Sequence, residues 1–261
     1  MLEPYRLTGE DLALDCYPLE SGYAKGAVVI CPGGGYEMIS AREGAPVAAA
    51  FNRAGYHAFV LSYDVAPVPL GYRPVRRLGR AVAYVRARAE ELGVSPHSIG
   101  VCGFSAGGHL AAGLGVLWHR EECFPGVPDL AAQKPDALIL SYPVISAGHS
   151  AHESSFARLA GDDRAAWEEF SVEKLVDGRT PPSFLWHTAA DPTVSAWNSL
   201  LFAEALLERG IPVELHLFPA GAHGLSLATH DVIDPERNRL ADPHVARWFS
   251  LAVEWLECVF R

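Results

Sequence analysis

The 261-residue chain carries a formal net charge of −10 with 49% hydrophobic and 20% charged residues, which excludes disordered and fibrous proteins. The negative charge argues against nucleic acid and anionic membranes as partners. The length suits one α/β domain covering residues 1–261. The arginines within 73–88 interleave with apolar residues at helical spacing, which indicates the solvated face of an amphipathic helix rather than a nucleic-acid site.

The N-terminal segment 1–14 has neither a basic region nor an apolar core, so we expect no secretory signal. No apolar stretch reaches the length of a membrane span. The five cysteines are scattered without CxxC spacing, and Cys31 and Cys102 lie in apolar, strand-like runs that are typical of buried free thiols. These features favour a reducing, cytoplasmic location.

Short apolar runs recur along the chain and are typical of strands buried on both faces of a parallel sheet. In chain order the predicted strands are 28–31, 58–63, 99–102, 137–142, 184–187 and 213–218. The alternating pattern of 12–17 instead indicates an edge or antiparallel strand. Segments with helical spacing lie at 45–54, 75–92, 106–118, 195–209 and 245–259. This alternation predicts a mostly parallel central sheet with helices on both faces.

The stretch 143–182 is long for a connection between two strands. It contains Phe156, Trp167 and Phe170, so it is expected to fold as a small lid or cap. A cover for a substrate and an insertion with a packing role are both open interpretations of this segment.

The strongest motif is Gly103-Phe104-Ser105-Ala106-Gly107-Gly108, which lies between the predicted strand 99–102 and a predicted helix. A nucleophile elbow requires this context, because its serine occupies a tight, strained turn that leaves no room for Cβ atoms at the flanking glycines. The motif predicts Ser105 as a nucleophile.

A serine hydroxyl needs a base that takes its proton, and that base needs an orienting acid. His223 follows the last predicted strand, where it can reach the elbow, whereas His57, His109 and His216 are interpreted as surface or core residues. The acid is predicted to be Asp191, which follows the strand 184–187 and precedes a helix.

The catalytic role of Asp191 has two alternatives. Asp191 could serve only as an Asx-turn or helix N-cap residue, although its position relative to both partners favours the catalytic role. Asp231 is a rival acid, but it lies on the charged excursion 230–243, which is interpreted as a solvated loop.

The glycine-rich loop Cys31-Pro32-Gly33-Gly34-Gly35-Tyr36 follows the strand 28–31. Acyl transfer builds an oxyanion that two backbone N–H groups can stabilise, and we assign this role to Ala106 with Gly34 or Gly35. A dinucleotide loop is disfavoured, because G-x-G-x-x-G would need glycine where Met38 stands.

The sequence His149-Ser150-Ala151-His152-Glu153 contains residue types that can bind metals. It matches neither H-E-x-x-H nor H-x-x-E-H and lies in the predicted lid, so both histidines are interpreted as solvent-exposed. No metal and no cofactor are expected.

The chain resembles esterase- and lipase-like α/β-hydrolases of the acetyl esterase and acetylxylan esterase type, which are grouped with dienelactone hydrolases and feruloyl esterases. Besides the two glycine-containing loops above, the resemblance depends on Tyr142-Pro143-Val144-Ile145-Ser146, Thr180-Pro181-Pro182, Glu214-Leu215-His216-Leu217-Phe218 and Gly221-Ala222-His223-Gly224-Leu225. Two positions depart from relatives. Pro32 stands where relatives of hormone-sensitive lipase carry the histidine of H-G-G-G, which places the chain outside that branch, and Asp64 stands where relatives usually have arginine.

The resemblance implies the α/β-hydrolase fold and a carboxylesterase that removes short acyl groups, with acetylated sugars or xylo-oligosaccharides as expected small-molecule substrates. A peptidase or lactonase with the same three residues is an alternative within enzymes. A binding module without activity is a third hypothesis, which the presence of serine, histidine and acid disfavours.

Overall fold

The computed structural model describes residues 3–9, 12–19 and 24–261, so part of the N-terminal segment in which we expect no secretory signal lies outside the described residues. Its eight-stranded sheet has the order β1-β2-β4-β3-β5-β6-β7-β8. The strands are β1 (Tyr5–Gly9), β2 (Leu12–Tyr17), β3 (Gly26–Cys31), β4 (Tyr56–Leu61), β5 (Ile99–Phe104), β6 (Ala137–Ser141), β7 (Ser183–Thr188) and β8 (Val213–Phe218). The strands β3 to β8 pair in parallel, which confirms the predicted fold class.

Helices cover both faces of the sheet, because its central strands are apolar on both sides. The helices are α1 (Ala45–Arg53), α2 (Arg73–Ala87), α3 (Ala89–Leu92), α4 (Ala106–Leu117), α5 (Glu153–Ala160), α6 (Arg164–Trp167), α7 (Trp197–Glu208) and α8 (Arg247–Val259). Val29 of β3 belongs to the core that includes side chains of α2, α4 and α7, whereas its neighbour Val28 belongs to the core that includes side chains of α1 and α8. Successive strand residues therefore belong to two separate cores, one on each face.

Two elements differ from the sequence prediction. The predicted helix 75–92 is divided at Arg88, whose φ of −108° and ψ of 11° separate α2 from α3 before Gly93 ends the segment at a φ of 68°. Strand β1 was not predicted, since four of its five residues are exposed and its sequence lacks an apolar face. It forms an antiparallel hairpin with β2, so β2 is antiparallel as expected but β1 forms the edge.

The departure at Asp64 has a local explanation. The Asp64 carboxylate accepts two hydrogen bonds from the guanidinium of Arg77 on α2, each with an N–O distance of 2.9 Å. This bidentate pair neutralises the carboxylate where the chain leaves β4. The arginine face of α2 therefore pairs partly with protein groups rather than only with water.

The five cysteines are free, and only Cys258 on α8 is exposed. The other four, Cys16, Cys31, Cys102 and Cys123, are buried, and burial raises the pKa of each thiol. This confirms the prediction of buried free thiols at Cys31 and Cys102. Over the described ranges, no helix combines the length and the apolar character needed to cross a membrane.

Candidate active site

Ser105 lies at the turn between β5 and α4. Its φ of 54° and ψ of −118° place a residue with a side chain in the left-handed region, which is strained for any residue except glycine. A Cβ atom at Gly103 would lie 2.2 Å from the carbonyl oxygen of Gly107, and one at Gly107 would lie 2.1 Å from that of Cys31. The two glycines allow the close packing that holds this turn.

The structure brings Ser105, His223 and Asp191 together, at the carboxyl ends of β5, β8 and β7. His223 Nδ1 lies 2.7 Å from Asp191 Oδ2, and because a carboxylate only accepts, Nδ1 carries the proton. His223 Nε2 is then an acceptor for the Ser105 hydroxyl, whose Oγ lies 2.8 Å away. This order of hydrogen bonds lets the imidazole take the serine proton.

The Asp191 side chain is fully buried yet accepts hydrogen bonds at both oxygens. Its Oδ1 accepts from the backbone N–H groups of Thr193 and Val194 at 2.8 and 3.0 Å, so it also acts as the predicted Asx-turn. Burial alone would raise the pKa of this carboxyl, but hydrogen bonds from His187 and His223 outweigh it and lower the pKa below its ordinary value. Asp191 therefore stays ionised beside His223.

His187 at the end of β7 was not singled out in the sequence. Its ring is completely buried, with Nε2 3.0 Å from the Val194 carbonyl and 3.5 Å from Asp191 Oδ2, and Nδ1 2.7 Å from Ser199 Oγ. Because a carbonyl only accepts, Nε2 carries the proton, and this N–H also faces the Asp191 carboxylate. His187 thus faces the same Asp191 oxygen, Oδ2, that binds His223, and supports the acid from within the core.

The side chains of His57, His109 and His216 make their hydrogen bonds to groups other than Ser105. His109 is buried in α4, where Tyr36 Oη is 2.9 Å from Nδ1 and the Phe170 carbonyl is 2.8 Å from Nε2. His57 is buried and bonded through both ring nitrogens, and His216 pairs with its own strand. The expectation of core or surface roles for them agrees with these contacts.

Gly34 and Gly35 border the same cleft as Ser105. Gly34 has a φ of 130°, and a Cβ there would meet the Met38 carbonyl at 2.1 Å. Among the described residues, no acceptor takes the backbone N–H of Gly34 or Gly35. Ala106 begins α4, and the first N–H groups of a helix have no acceptor within it. All three N–H groups are available to a ligand.

Glu43 is a buried carboxylate that the sequence analysis missed. Its Oε2 accepts from the Gly33 N–H at 2.8 Å, and its Oε1 accepts from the Tyr142 hydroxyl at 2.6 Å. The Tyr142 oxygen in turn accepts from the Ser226 N–H at 2.9 Å, and the Tyr142 ring packs 5.1 Å from that of His223. The network ties the glycine loop to the loop that carries His223.

Ser105 opens into a cleft of about 430 Å³, called here the Ser105 cleft. Its lining residues are Gly34, Gly35, Glu37, Met38, Ser40, Ala41, Arg42, Glu43, Ser105, His152, Thr193, His223, Gly224, Asp234, Arg237 and Arg239. Most of these side chains are polar or charged. The cleft therefore offers many hydrogen-bonding groups to a ligand.

The excursion 230–243 is mostly exposed, as expected of a solvated loop, and it also forms part of this cleft. Asp234, Arg237 and Arg239 line the cleft, and Arg239 Nε donates to the His223 carbonyl at 2.8 Å. Asp234 pairs with both arginines, at 3.2 and 3.3 Å. Asp231 is exposed and borders a groove along α8 instead, so the structure does not bring it to His223.

The segment 143–182 folds into α5, α6 and two 3₁₀ turns, Glu168–Phe170 and Val172–Leu175. Its aromatic residues Phe156, Trp167 and Phe170 are buried in the core that faces α2 and α4. The expectation that both histidines of this segment are exposed was wrong for His152, which is half-buried and lines the Ser105 cleft, whereas His149 is exposed. The sequence carried no signal for His152, because the spacing motifs applied to this segment describe metal sites only.

The sequence profile of the BD-FAE family matches residues 14–206. Endo-1,4-beta-xylanase B from Butyrivibrio fibrisolvens is 38% identical over 232 residues, which are 86% of this chain and 34% of that protein. The acetylxylan esterase of Xylanibacter ruminicola is 30% identical over 213 residues, which are 78% of this chain and 42% of that protein. The chain thus spans between about a third and two fifths of these curated relatives' lengths.

Solved structures resemble the whole chain. The acetyl ester-xyloside bifunctional hydrolase of Caldicellulosiruptor lactoaceticus has a TM-score of 0.83 at 37% identity, covering 95% of this chain and 88% of that one. A carboxylesterase of Lactobacillus plantarum WCFS1 has a TM-score of 0.84 at 29% identity, covering 98% and 97%. The relatives confirm the resemblance to carboxylic ester hydrolases of the acetyl esterase type. The chain therefore belongs to the BD-FAE family and has the α/β-hydrolase fold.

Proposed function

We propose that the chain is a serine carboxylesterase that hydrolyses short-chain acyl esters, with Ser105 as nucleophile, His223 as general base and Asp191 as orienting acid. The observation that carries the proposal is the unbroken series of hydrogen bonds from Ser105 Oγ through His223 to the buried Asp191 carboxylate. Its first bond begins at a strained turn that opens into a cleft lined by many polar side chains.

In the proposed reaction, Ser105 Oγ attacks the ester carbonyl while His223 Nε2 takes the hydroxyl proton. The N–H of Ala106 with that of Gly34 or Gly35 stabilises the oxyanion. As the C–O bond of the ester breaks, the imidazolium gives its proton to the leaving alcohol. Water, activated by His223, then attacks the acyl-enzyme and releases the carboxylic acid, and the Asp191 charge stabilises the imidazolium in both steps.

Acetylated sugars or xylo-oligosaccharides are the substrates that we propose. The cleft presents guanidinium, imidazole and carboxylate groups, which suit an alcohol portion rich in hydroxyl groups. The names of an acetylxylan esterase and of an acetyl ester-xyloside hydrolase among the relatives support the same class.

Hydrolysis of p-nitrophenyl esters from acetate to octanoate, together with acetylated xylo-oligosaccharides, tests the proposal. We expect turnover to be highest with acetate and to fall as the acyl chain lengthens. Ser105→Ala should lower kcat by a factor on the order of 10⁶ while the far-UV circular dichroism is unchanged. A folded variant that keeps much of the activity would overturn the role of Ser105, and a maximum at octanoate would overturn the acyl preference.

A further inference from the structure

His152 lies in the Ser105 cleft but has no part in the proposed chemistry. It directly precedes α5, and its half-buried side chain lines the cleft together with Ser105 and His223. Burial lowers the pKa of His152 from its ordinary value, because it disfavours the protonated ring. The His152 ring is therefore expected to be neutral at neutral pH, with one donor and one acceptor nitrogen.

Ser155 determines which nitrogen of His152 carries the proton. The Ser155 side chain is fully buried, and its Oγ lies 2.8 Å from His152 Nδ1. A buried hydroxyl needs an acceptor, and Nδ1 is the one that the described residues offer it. Nδ1 thus accepts and Nε2 carries the proton, and over the described ranges the Nε2–H has no partner within the protein.

Asn198 holds the segment that carries His152 in place. Asn198 is fully buried, and its Oδ1 accepts from the N–H groups of Ile145 and Ser146 at 2.8 and 2.9 Å. Its Nδ2 donates to the Ser150 carbonyl at 2.9 Å and to a carbonyl just before α7. These bonds fix the chain that leads to His152 against the helix that follows Asp191, so the His152 donor has a defined position before any substrate binds.

We propose that His152 is a specificity-determining residue, whose Nε2–H donates a hydrogen bond to an oxygen of the alcohol portion of the ester. The inference deepens the proposed function and rests on it. It assigns the enzyme to esters whose alcohol carries an ether or hydroxyl oxygen close to the acyl group. Simple aryl esters have no such oxygen and gain nothing from the donor.

Two acetates with the same acyl group separate this role from general catalysis. Phenyl acetate has no further oxygen in its alcohol, whereas a mono-acetylated methyl β-xyloside has several, and both give the same acetyl-enzyme. The values of kcat/KM therefore compare acylation with and without the additional acceptor. The variants are His152→Phe, which removes the donor, and His152→Gln, which keeps an N–H donor. His149→Phe is the matched control, because this histidine is exposed in the same segment.

We expect His152→Phe to lower kcat/KM for the acetylated xyloside by about tenfold, the value of one hydrogen bond, and to change that for phenyl acetate less than about twofold. His152→Gln should recover much of the loss, and His149→Phe should behave like the unmodified protein. His152→Ala replaces the phenylalanine variant if that protein does not fold.

An equal loss on both acetates would overturn the inference, because it would place His152 in the support of His223 rather than in recognition of the alcohol. Unchanged kinetics on both would overturn it too. If the unmodified protein hydrolyses neither acetate, the proposed function itself is wrong. That outcome is measured on the unmodified protein, so it can be distinguished from the two results that concern the His152 variants.

Discussion

The Asp191 carboxylate receives donors on both oxygens, and its position favours one tautomer of His223. An amide at this position can present its NH₂ group to the histidine and favour the tautomer with the proton on Nε2. That tautomer cannot accept the serine proton. We therefore expect Asp191→Asn to lower kcat for acetate esters by roughly 10⁴ with little change in KM, measured by steady-state kinetics.

Asp231→Asn is the control for this prediction, because Asp231 is exposed and lies outside the Ser105 cleft. Its kcat should remain that of the unmodified protein. A large loss in Asp231→Asn with a small one in Asp191→Asn would transfer the role of the acid to Asp231.

Glu43 illustrates how one buried side chain connects two loops. Glu43→Gln replaces one acceptor oxygen by a donor, so either the Gly33 N–H or the Tyr142 hydroxyl loses its acceptor. Leaving such a buried group unsatisfied should lower the free energy of unfolding by about 1–3 kcal/mol, measured by urea denaturation. Displacement of the glycine loop should also lower kcat between about 10- and 100-fold.

A double-mutant cycle with Tyr142→Phe tests the Glu43 network. Both changes break the same hydrogen bond. The double variant should therefore lose less free energy of unfolding than the sum of the losses in the two single variants. Glu90→Gln, on the exposed surface of α3, should change neither stability nor kcat. Fully additive effects would show that Glu43 and Tyr142 act separately.

Among the elements, α4 carries a buried histidine that links stability to pH. Burial lowers the pKa of His109 to about 4, and its Nδ1 accepts from Tyr36 while its Nε2–H donates to the Phe170 carbonyl. The unfolded chain binds a proton at this residue below about pH 6.5, whereas the folded protein does so only near the lowered pKa. The folded state should therefore lose stability as the pH falls through this interval.

The decrease in the free energy of unfolding that His109 contributes should reach about 3 kcal/mol when the pH approaches the lowered pKa. In His109→Gln, which cannot be protonated, urea denaturation at pH 7 and pH 4.5 should show a correspondingly smaller difference between the two pH values. His149→Gln is the matched control. If His109→Gln shows the same dependence on pH as the unmodified protein, the acid sensitivity has another origin.

The elements that the sequence predicted well are those buried on a defined face. Strands such as β3 and β5 are apolar throughout, and their side chains enter two cores. Strand β1 lacks that pattern, because most of it faces solvent and its position depends on pairing with β2. The division between α2 and α3 could not be predicted from the sequence either, since both helices share one apolar stripe. The break at Arg88 is a change in backbone angles that leaves this pattern intact.

At the scale of the whole molecule, the order of the strands explains why three site residues could be predicted. Ser105, Asp191 and His223 follow parallel strands, and such strands bring their carboxyl ends to one edge of a sheet. Glu43, His152 and the arginines of 230–243 come from turns and insertions without periodic pattern. Their places depend on contacts between segments far apart in sequence, which local spacing does not encode.

The distribution of thiols gives the molecule a built-in reporter of global opening. Because Cys258 alone is exposed, a maleimide dye should modify the native protein once, at the end of α8. Cys31 and Cys102 belong to central strands, and their side chains lie in the two cores on opposite faces of the sheet. Their modification therefore requires the sheet to open. Mass spectrometry during labelling in urea should show one adduct first and the remaining four together at the unfolding transition. Gradual labelling of the buried thiols below that transition would instead reveal that the two faces of the sheet come apart separately.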